Sequence, residues 1–258
     1  MSAPRYTDSH CHLTMADALP ALDRARAEGV RGFLVPATKL DDARPAVALA
    51  RQHDDVWAAV GFHPHEAKDC DDAAFAVIEE LAREPRVRAI GEMGLDYHYM
   101  HSPREVQREV FLRHVALAKA RDLPVIIHNR ESTTDLLELL ASDEAKGVRG
   151  ILHSFTESAE VARSLLDRGY FISFSGIVTF RTAEALRECA RGLPHDRVLI
   201  ETDTPYLAPV PFRGKDNAPA YVIKIAELLA TLWGVPIEEV AAQTTANFES
   251  AFAVTLPR

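Results

Sequence analysis

The sequence predicts an α/β protein built as a single (β/α)8 TIM barrel with an extra C-terminal helix. Three observations predict it. The chain has 258 residues, close to the roughly 250 that such a barrel uses. Eight short apolar runs are spaced along it, separated by longer amphipathic stretches. No linker, low-complexity tract or fixed-period repeat divides the chain, so residues 1–258 read as one domain.

The apolar runs are Tyr6–Ser9, Val30–Val35, Val56–Val60, Val87–Ile90, Val125–Ile127, Gly150–Leu152, Tyr170–Phe174 and Val198–Ile200. They are short and largely apolar, as strands covered on both faces are. The clearest helix follows Ser102-Pro103-Arg104-Glu105, a capping-box pattern with proline at the first helical position. Val106, Val110, Val115 and Ala118 then lie near one helical face. Val222, Ile225, Ala226, Leu229 and Trp233 form a later stripe whose start is marked by Asn217 and Pro219. The tail beyond Pro236 reads as one or two further helices. Strands alternating with helices favour a parallel barrel. A doubly wound open sheet is the structural alternative, but it usually carries a glycine-rich phosphate loop after its first strand. Here His-Cys-His-Leu follows instead.

Composition narrows the function. Apolar residues make up 47% and charged residues 26%, which is ordinary for a globular domain. The net charge of −9 argues against an open duplex-binding surface. A phosphate-bearing substrate therefore needs local positive charge, and bound cations would supply it. Cys11, Cys70 and Cys189 are too few and too scattered for a disulfide framework or a zinc finger. The N-terminal Met-Ser-Ala-Pro-Arg-Tyr-Thr-Asp has no apolar leader region, and no run of about 18 apolar residues occurs. The expectation is a cytoplasmic protein with no membrane association and no obligate protein partner.

The chemistry gathers at strand ends. In Asp8-Ser9-His10-Cys11-His12, His10 and His12 are two apart, so they point to the same side. Paired imidazoles make half a site for a divalent metal. The third strand runs into Gly61-Phe62-His63-Pro64-His65 and the fourth into Gly91-Glu92-Met93-Gly94-Leu95-Asp96. The fifth ends at His128, the sixth at His153 and the eighth at Glu201-Thr202-Asp203. In a (β/α)8 barrel these C-terminal ends line the active site. His53, His101, His114 and His195 fall in predicted helices or loops and read as solvated. Four imidazoles (His10, His12, His128, His153) with Glu92 and Asp203 exceed one tetrahedral site. Two cations fit better, with Glu92 the candidate bridge. Two dications against two carboxylates leave the pocket net positive inside an acidic protein.

These segments resemble the TatD family of metal-dependent deoxyribonucleases, within the amidohydrolase-like barrels. Besides the segments above, His128-Asn129-Arg130, His153-Ser154-Phe155-Thr156, the run from Tyr170 to Gly176, the run from Glu201 to Leu207, and Arg213-Gly214-Lys215 with Asn217 and Pro219 carry the resemblance. It spans nearly the whole chain in order. It implies one metal held by His10, His12, Glu92 and Asp203, and a second held by Glu92, His128 and His153. The two divalent ions are typically Mg2+, Mn2+ or Zn2+. Thr14, Glu157, Asp216 and Ala218 depart from the family pattern, and none is a proposed ligand.

Roles follow for a phosphodiesterase that acts on DNA, as a 3′→5′ exonuclease on single strands. Asp203 is the candidate to take a proton from the attacking water. His63 is the candidate to hydrogen-bond the phosphate or protonate the leaving group. Arg130, Arg213 and Lys215 are candidates for phosphate contact. His65, Asp96 and Glu201 are candidates to orient the ligands. Two other readings remain open: the same site cleaving an amide, lactone or phosphotriester, and a non-catalytic metal-binding protein. The sparse aromatics leave no stacking platform for bases visible in the sequence.

Overall fold

The computed structural model describes residues 4–15 and 17–257. Met1 to Ala3, the start of the segment judged to lack a leader, lie outside the described residues. Eight parallel strands form one sheet in chain order. They are β1 (Tyr6–Asp8), β2 (Val30–Pro36), β3 (Val56–Val60), β4 (Val87–Asp96), β5 (Val125–Arg130), β6 (Gly150–Leu152), β7 (Phe171–Phe174) and β8 (Val198–Ile200). The α-helices are α1 (Ala18–Ala27), α2 (Leu40–Gln52), α3 (Asp72–Leu81), α4 (Arg104–Arg121), α5 (Thr133–Ala141), α6 (Ala159–Leu166), α7 (Glu184–Gly192), α8 (Val222–Trp233) and α9 (Ile237–Phe252). This is the predicted (β/α)8 order, and α9 is the added C-terminal helix. No single helix among the described residues is long and apolar enough to cross a membrane.

The chain divides into two compact units, Met1–Val35 with His153–Arg258, and Pro36–Leu152. In the first unit, β1 pairs with β2 and β7 with β8. Backbone bonding between the β1 and β8 segments continues past both strand ends. Ser9 N–H donates to Ile200 O, Asp203 N–H to His10 O and His12 N–H to Thr204 O. Phe33, Phe174, Phe248 and Phe252 are fully buried there, each such side chain stabilising the fold by about 1.5–3 kcal/mol. Gly32 packs closely here: a Cβ at that position would lie 2.6 Å from the end of the Leu256 side chain, which would have to shift.

In the second unit, β4 pairs with β3 and β5, and β5 with β6. Strands β4 and β5 are longer than the apolar runs that announce them. Their register runs on through Met93↔Ile127, Gly94↔His128 and Asp96↔Arg130. Gly94 permits this. It has φ +150°, and a Cβ there would meet the His128 carbonyl oxygen at 1.9 Å. Glu92 and His128 therefore lie within strands, not beyond them.

Several expectations change here. Ser102 is not the cap of α4, which is entered from Pro103. Its hydroxyl instead donates to His65 O and accepts from Lys68 N–H, so it holds the turn after His63. His114 is fully buried rather than solvated. Its Nδ1 donates to Val110 O and its Nε2 accepts from Phe62 N–H. Burial pushes its pKa down to about 4, so the ring is neutral and ties α4 to the segment beside His63. His53 and His195 are half-buried, the latter stacked on Trp233; His101 is exposed. Asn217 does not cap α8; a 3-10 turn at Pro219–Tyr221 precedes that helix. Its side-chain amide donates to Thr202 O and Tyr206 O, closing the loop after β8.

Candidate metal centre

In the first unit, the continued bonding of the β1 and β8 segments sets Asp203 against His10 and His12. The two Nε2 atoms are 3.1 Å apart. Asp203 Oδ1 lies 3.4 Å from His12 Nε2 and 3.7 Å from His10 Nε2. Ligands about 2.1 Å from one cation stand roughly 3.0–3.4 Å apart, so this donor set is close to metal-ready. Burial raises the Asp203 carboxyl, but the hydrogen bond from His12 and the nearby His10 and His153 rings outweigh it. The net shift is downward, favouring the carboxylate. Asp203 also has φ +59°, a strained backbone of the kind that persists where the surroundings demand it.

His153 follows β6 and stacks on His10, with ring centroids 3.9 Å apart. Its Nδ1 donates to Glu201 Oε1 at 3.2 Å, and the Ser154 N–H donates to the same oxygen at 2.7 Å. With Nδ1 carrying the proton, His153 Nε2 keeps its lone pair for a metal. Asp8 was missed as a contributor. It is fully buried and accepts from His10 N–H, Thr202 N–H and Thr202 Oγ1. Burial pushes its carboxyl up to about 8. A charged residue inside the apolar first run was the signal for it.

The second unit brings together Glu92, His128 and His63. Glu92 Oε1 lies 3.2 Å from His128 Nδ1 and 3.5 Å from His63 Nε2. The other nitrogen of His128, Nε2, lies 3.1 Å from Asp96 Oδ2, and His65 Nε2 donates to that same oxygen at 2.9 Å. Asp96 Oδ1 accepts from the N–H groups of His98 and Tyr99. Burial raises the Asp96 carboxyl, yet the bonds from His128, His65 and Tyr99 dominate and hold it well below the usual carboxylate range. The buried Gln107 side chain bonds both backbone groups of Asp96, a role the sequence reading missed. A metal at His128 Nδ1 would leave Nε2–H donating to Asp96, the usual carboxylate–histidine support.

His63 stands in the Glu92–His128 group, although its sequence context suggested no ligand role. Its Nδ1 accepts a hydrogen bond from the His65 backbone N–H at 3.1 Å. A neutral His63 therefore carries its proton on Nε2, the atom that faces Glu92. That tautomer donates a proton and does not offer Nε2 as a ligand.

The candidate phosphate contacts are exposed. Arg130 ends β5, with its guanidinium 4.7 Å from the Tyr99 ring centroid. Arg213 lies 3.9 Å from the Phe180 ring centroid. Lys215 is exposed on the same loop as Arg213. The expectation of no stacking surface is corrected. Tyr99 is 51% exposed and lies 5.4 Å from His65, while Tyr206 is 55% exposed and lies 6.5 Å from His12. Few aromatics are needed when the loops present them beside the donor clusters.

Comparisons with known proteins agree with one another. The family model described as TatD related DNase matches residues 7–253. An uncharacterized metal-dependent hydrolase of Bacillus subtilis, YabD, is 43% identical over 96% of this chain and 98% of its own. A 3′-5′ ssDNA/RNA exonuclease, TatD of Klebsiella pneumoniae, is 36% identical over 90% of each chain. The crystal structure of YJJV, a TatD homologue from Escherichia coli, superposes with a TM-score of 0.92 at 30% identity. That alignment covers 97% of this chain and 99% of the other.

Proposed function

This chain belongs to the TatD-related DNase family, and from that premise we propose that it is a metal-dependent phosphodiesterase that removes nucleotides from the 3′ ends of single-stranded DNA. The observation that carries the reading is the His10–His12–Asp203 donor cluster, with Glu92 Oε1 set 3.2 Å from His128 Nδ1 in the second unit and His63 beside them as a proton donor. Membership in the family and the Klebsiella relative's name support a nucleic-acid substrate. The whole chain would act as one hydrolase domain.

His10, His12, Glu92 and Asp203 would hold one divalent ion, and Glu92, His128 and His153 a second. When bound, such ions acidify a water and offset charge on the phosphate oxygens. The protein's own groups do the rest. Asp203 accepts a proton from the attacking water. His63, protonated at Nε2 by the tautomer its backbone bond imposes, donates to the phosphate or to the leaving oxygen. Glu201 and Asp96 keep His153 and His128 turned towards their ions. Arg130, Arg213 and Lys215 supply fixed positive charge for phosphates in a chain of net charge −9.

The test is a substrate panel with Mg2+, Mn2+ or Zn2+ added. It compares 3′-ended single-stranded DNA, RNA, duplex DNA, a phosphodiester model compound, and several lactones and amides. Cleavage of single-stranded DNA from the 3′ end, abolished in Asp203→Ala, is the expected outcome. Turnover of the lactones or amides alone would overturn the nuclease reading.

A further inference from the structure

We propose that Tyr99, with Arg130 and His101, forms a nucleobase-binding subsite beside the His63–Glu92–His128 cluster and directs the enzyme to unpaired nucleotides. The inference rests on the phosphodiesterase reading above and adds the part of the substrate that the phosphate chemistry does not recognise.

Tyr99 sits in the loop between β4 and α4, a large ring left 51% exposed. The loop is anchored at that point. The N–H groups of His98 and Tyr99 donate to Asp96 Oδ1 at 3.0 and 2.9 Å, and Asp96 Oδ2 holds His65 and His128. One carboxylate thus fixes both the donor cluster and the base of the exposed ring. The ring meets His65 edge-on at 5.4 Å and lies near-parallel to the exposed His101, with centroids 5.8 Å apart.

Arg130 completes the group. It is two residues beyond His128 on β5 and in register with Asp96. Arg51, Arg108, Arg113, Arg149 and Arg187 each pair with a carboxylate. Arg130 has no such pair among the described residues and lies over the Tyr99 ring instead. An unpaired guanidinium on an exposed ring offers a phosphate donor and a π-face together. Every nucleobase has a π-face, so such a platform tolerates any sequence, but a base paired within a duplex cannot present that face. A substrate without an aromatic ring makes no use of it.

The test measures kcat/KM with Mn2+ on two single-stranded oligonucleotides of equal length. One carries bases throughout; the other is abasic at its two 3′-terminal positions. Wild type is expected to favour the base-bearing substrate about tenfold, within the range measured for base–aromatic stacking. Tyr99→Ala brings the ratio close to one, and Tyr99→Phe keeps it. Tyr99→Leu, with the same expected loss, serves if the alanine variant does not fold. A wild type without preference, or a Tyr99→Ala enzyme that keeps it, overturns the subsite and leaves the nuclease reading standing. A wild type that cleaves neither oligonucleotide overturns both.

Discussion

The backbone N–H of His65 donates to Nδ1 of His63 at 3.1 Å, and this one bond decides what His63 can do. It places the proton of the neutral ring on Nε2, 3.5 Å from Glu92 Oε1. A ring so held is a proton donor within a group of candidate metal ligands. His63→Ala is therefore expected to keep its metal content while kcat falls about 10²- to 10⁴-fold. Metal analysis beside steady-state kinetics checks it; loss of metal would move His63 into the ligand set.

Asp96 accepts from His128 and His65 through a single oxygen. Asp96→Asn weakens both bonds and frees the His128 ring to turn. Metal affinity is expected to fall about 10- to 100-fold, as it does when groups supporting a ligand are removed. Calorimetric titration of stripped protein with Mn2+ reads this directly. An unchanged affinity would mean that Asp96 serves only the loop that carries Tyr99.

His114 gives a pH dependence with a definite sign. Its pKa is lowered to about 4 in the folded protein by burial, against about 6.5 in an unfolded chain. The unfolded state therefore binds the proton first, and stability falls as pH drops from about 6.5 towards 4. The contribution is on the order of 3 kcal/mol over that window. Urea unfolding at pH 7 and pH 4.5 should show a smaller difference for His114→Asn than for wild type. Equal differences would refute the assignment.

Arg213 lies exposed over Phe180 with no carboxylate partner among the described residues. If it meets a phosphate, Arg213→Ala weakens oligonucleotide binding and lowers the slope of log affinity against log salt by about 0.7, the value for one single-strand contact. Fluorescence anisotropy across a salt series measures both. A weaker affinity with an unchanged slope would point to lost packing on Phe180 instead.

Much of this was legible in the residues. The period of two placed His10 and His12 on one side, and the apolar runs located every strand. What escaped depended on distant partners. Gly91 to Asp96 does not look like a strand, yet it extends β4 because Gly94 lets β5 approach. Ser102 carries a capping pattern, but its hydroxyl is taken by His65 O and Lys68 N–H. His114 looked solvated because the Phe62 N–H it accepts from lies 52 positions away. The exposure of Tyr99 is set by a loop pinned to Asp96, which no local pattern records. The donors themselves were readable because strand ends are local features; their hydrogen-bond supports were readable only where a charge stood beside them.

In the proposed centre, Glu92 joins the ligand sets of two ions. Metal stoichiometry, measured side by side on wild type and Glu92→Ala after dialysis against Mn2+ or Zn2+, tests it most directly. About two ions per wild-type chain are expected, with weakened binding at both positions and loss of turnover in the variant. A Glu92→Ala protein that kept two ions and full activity would contradict it.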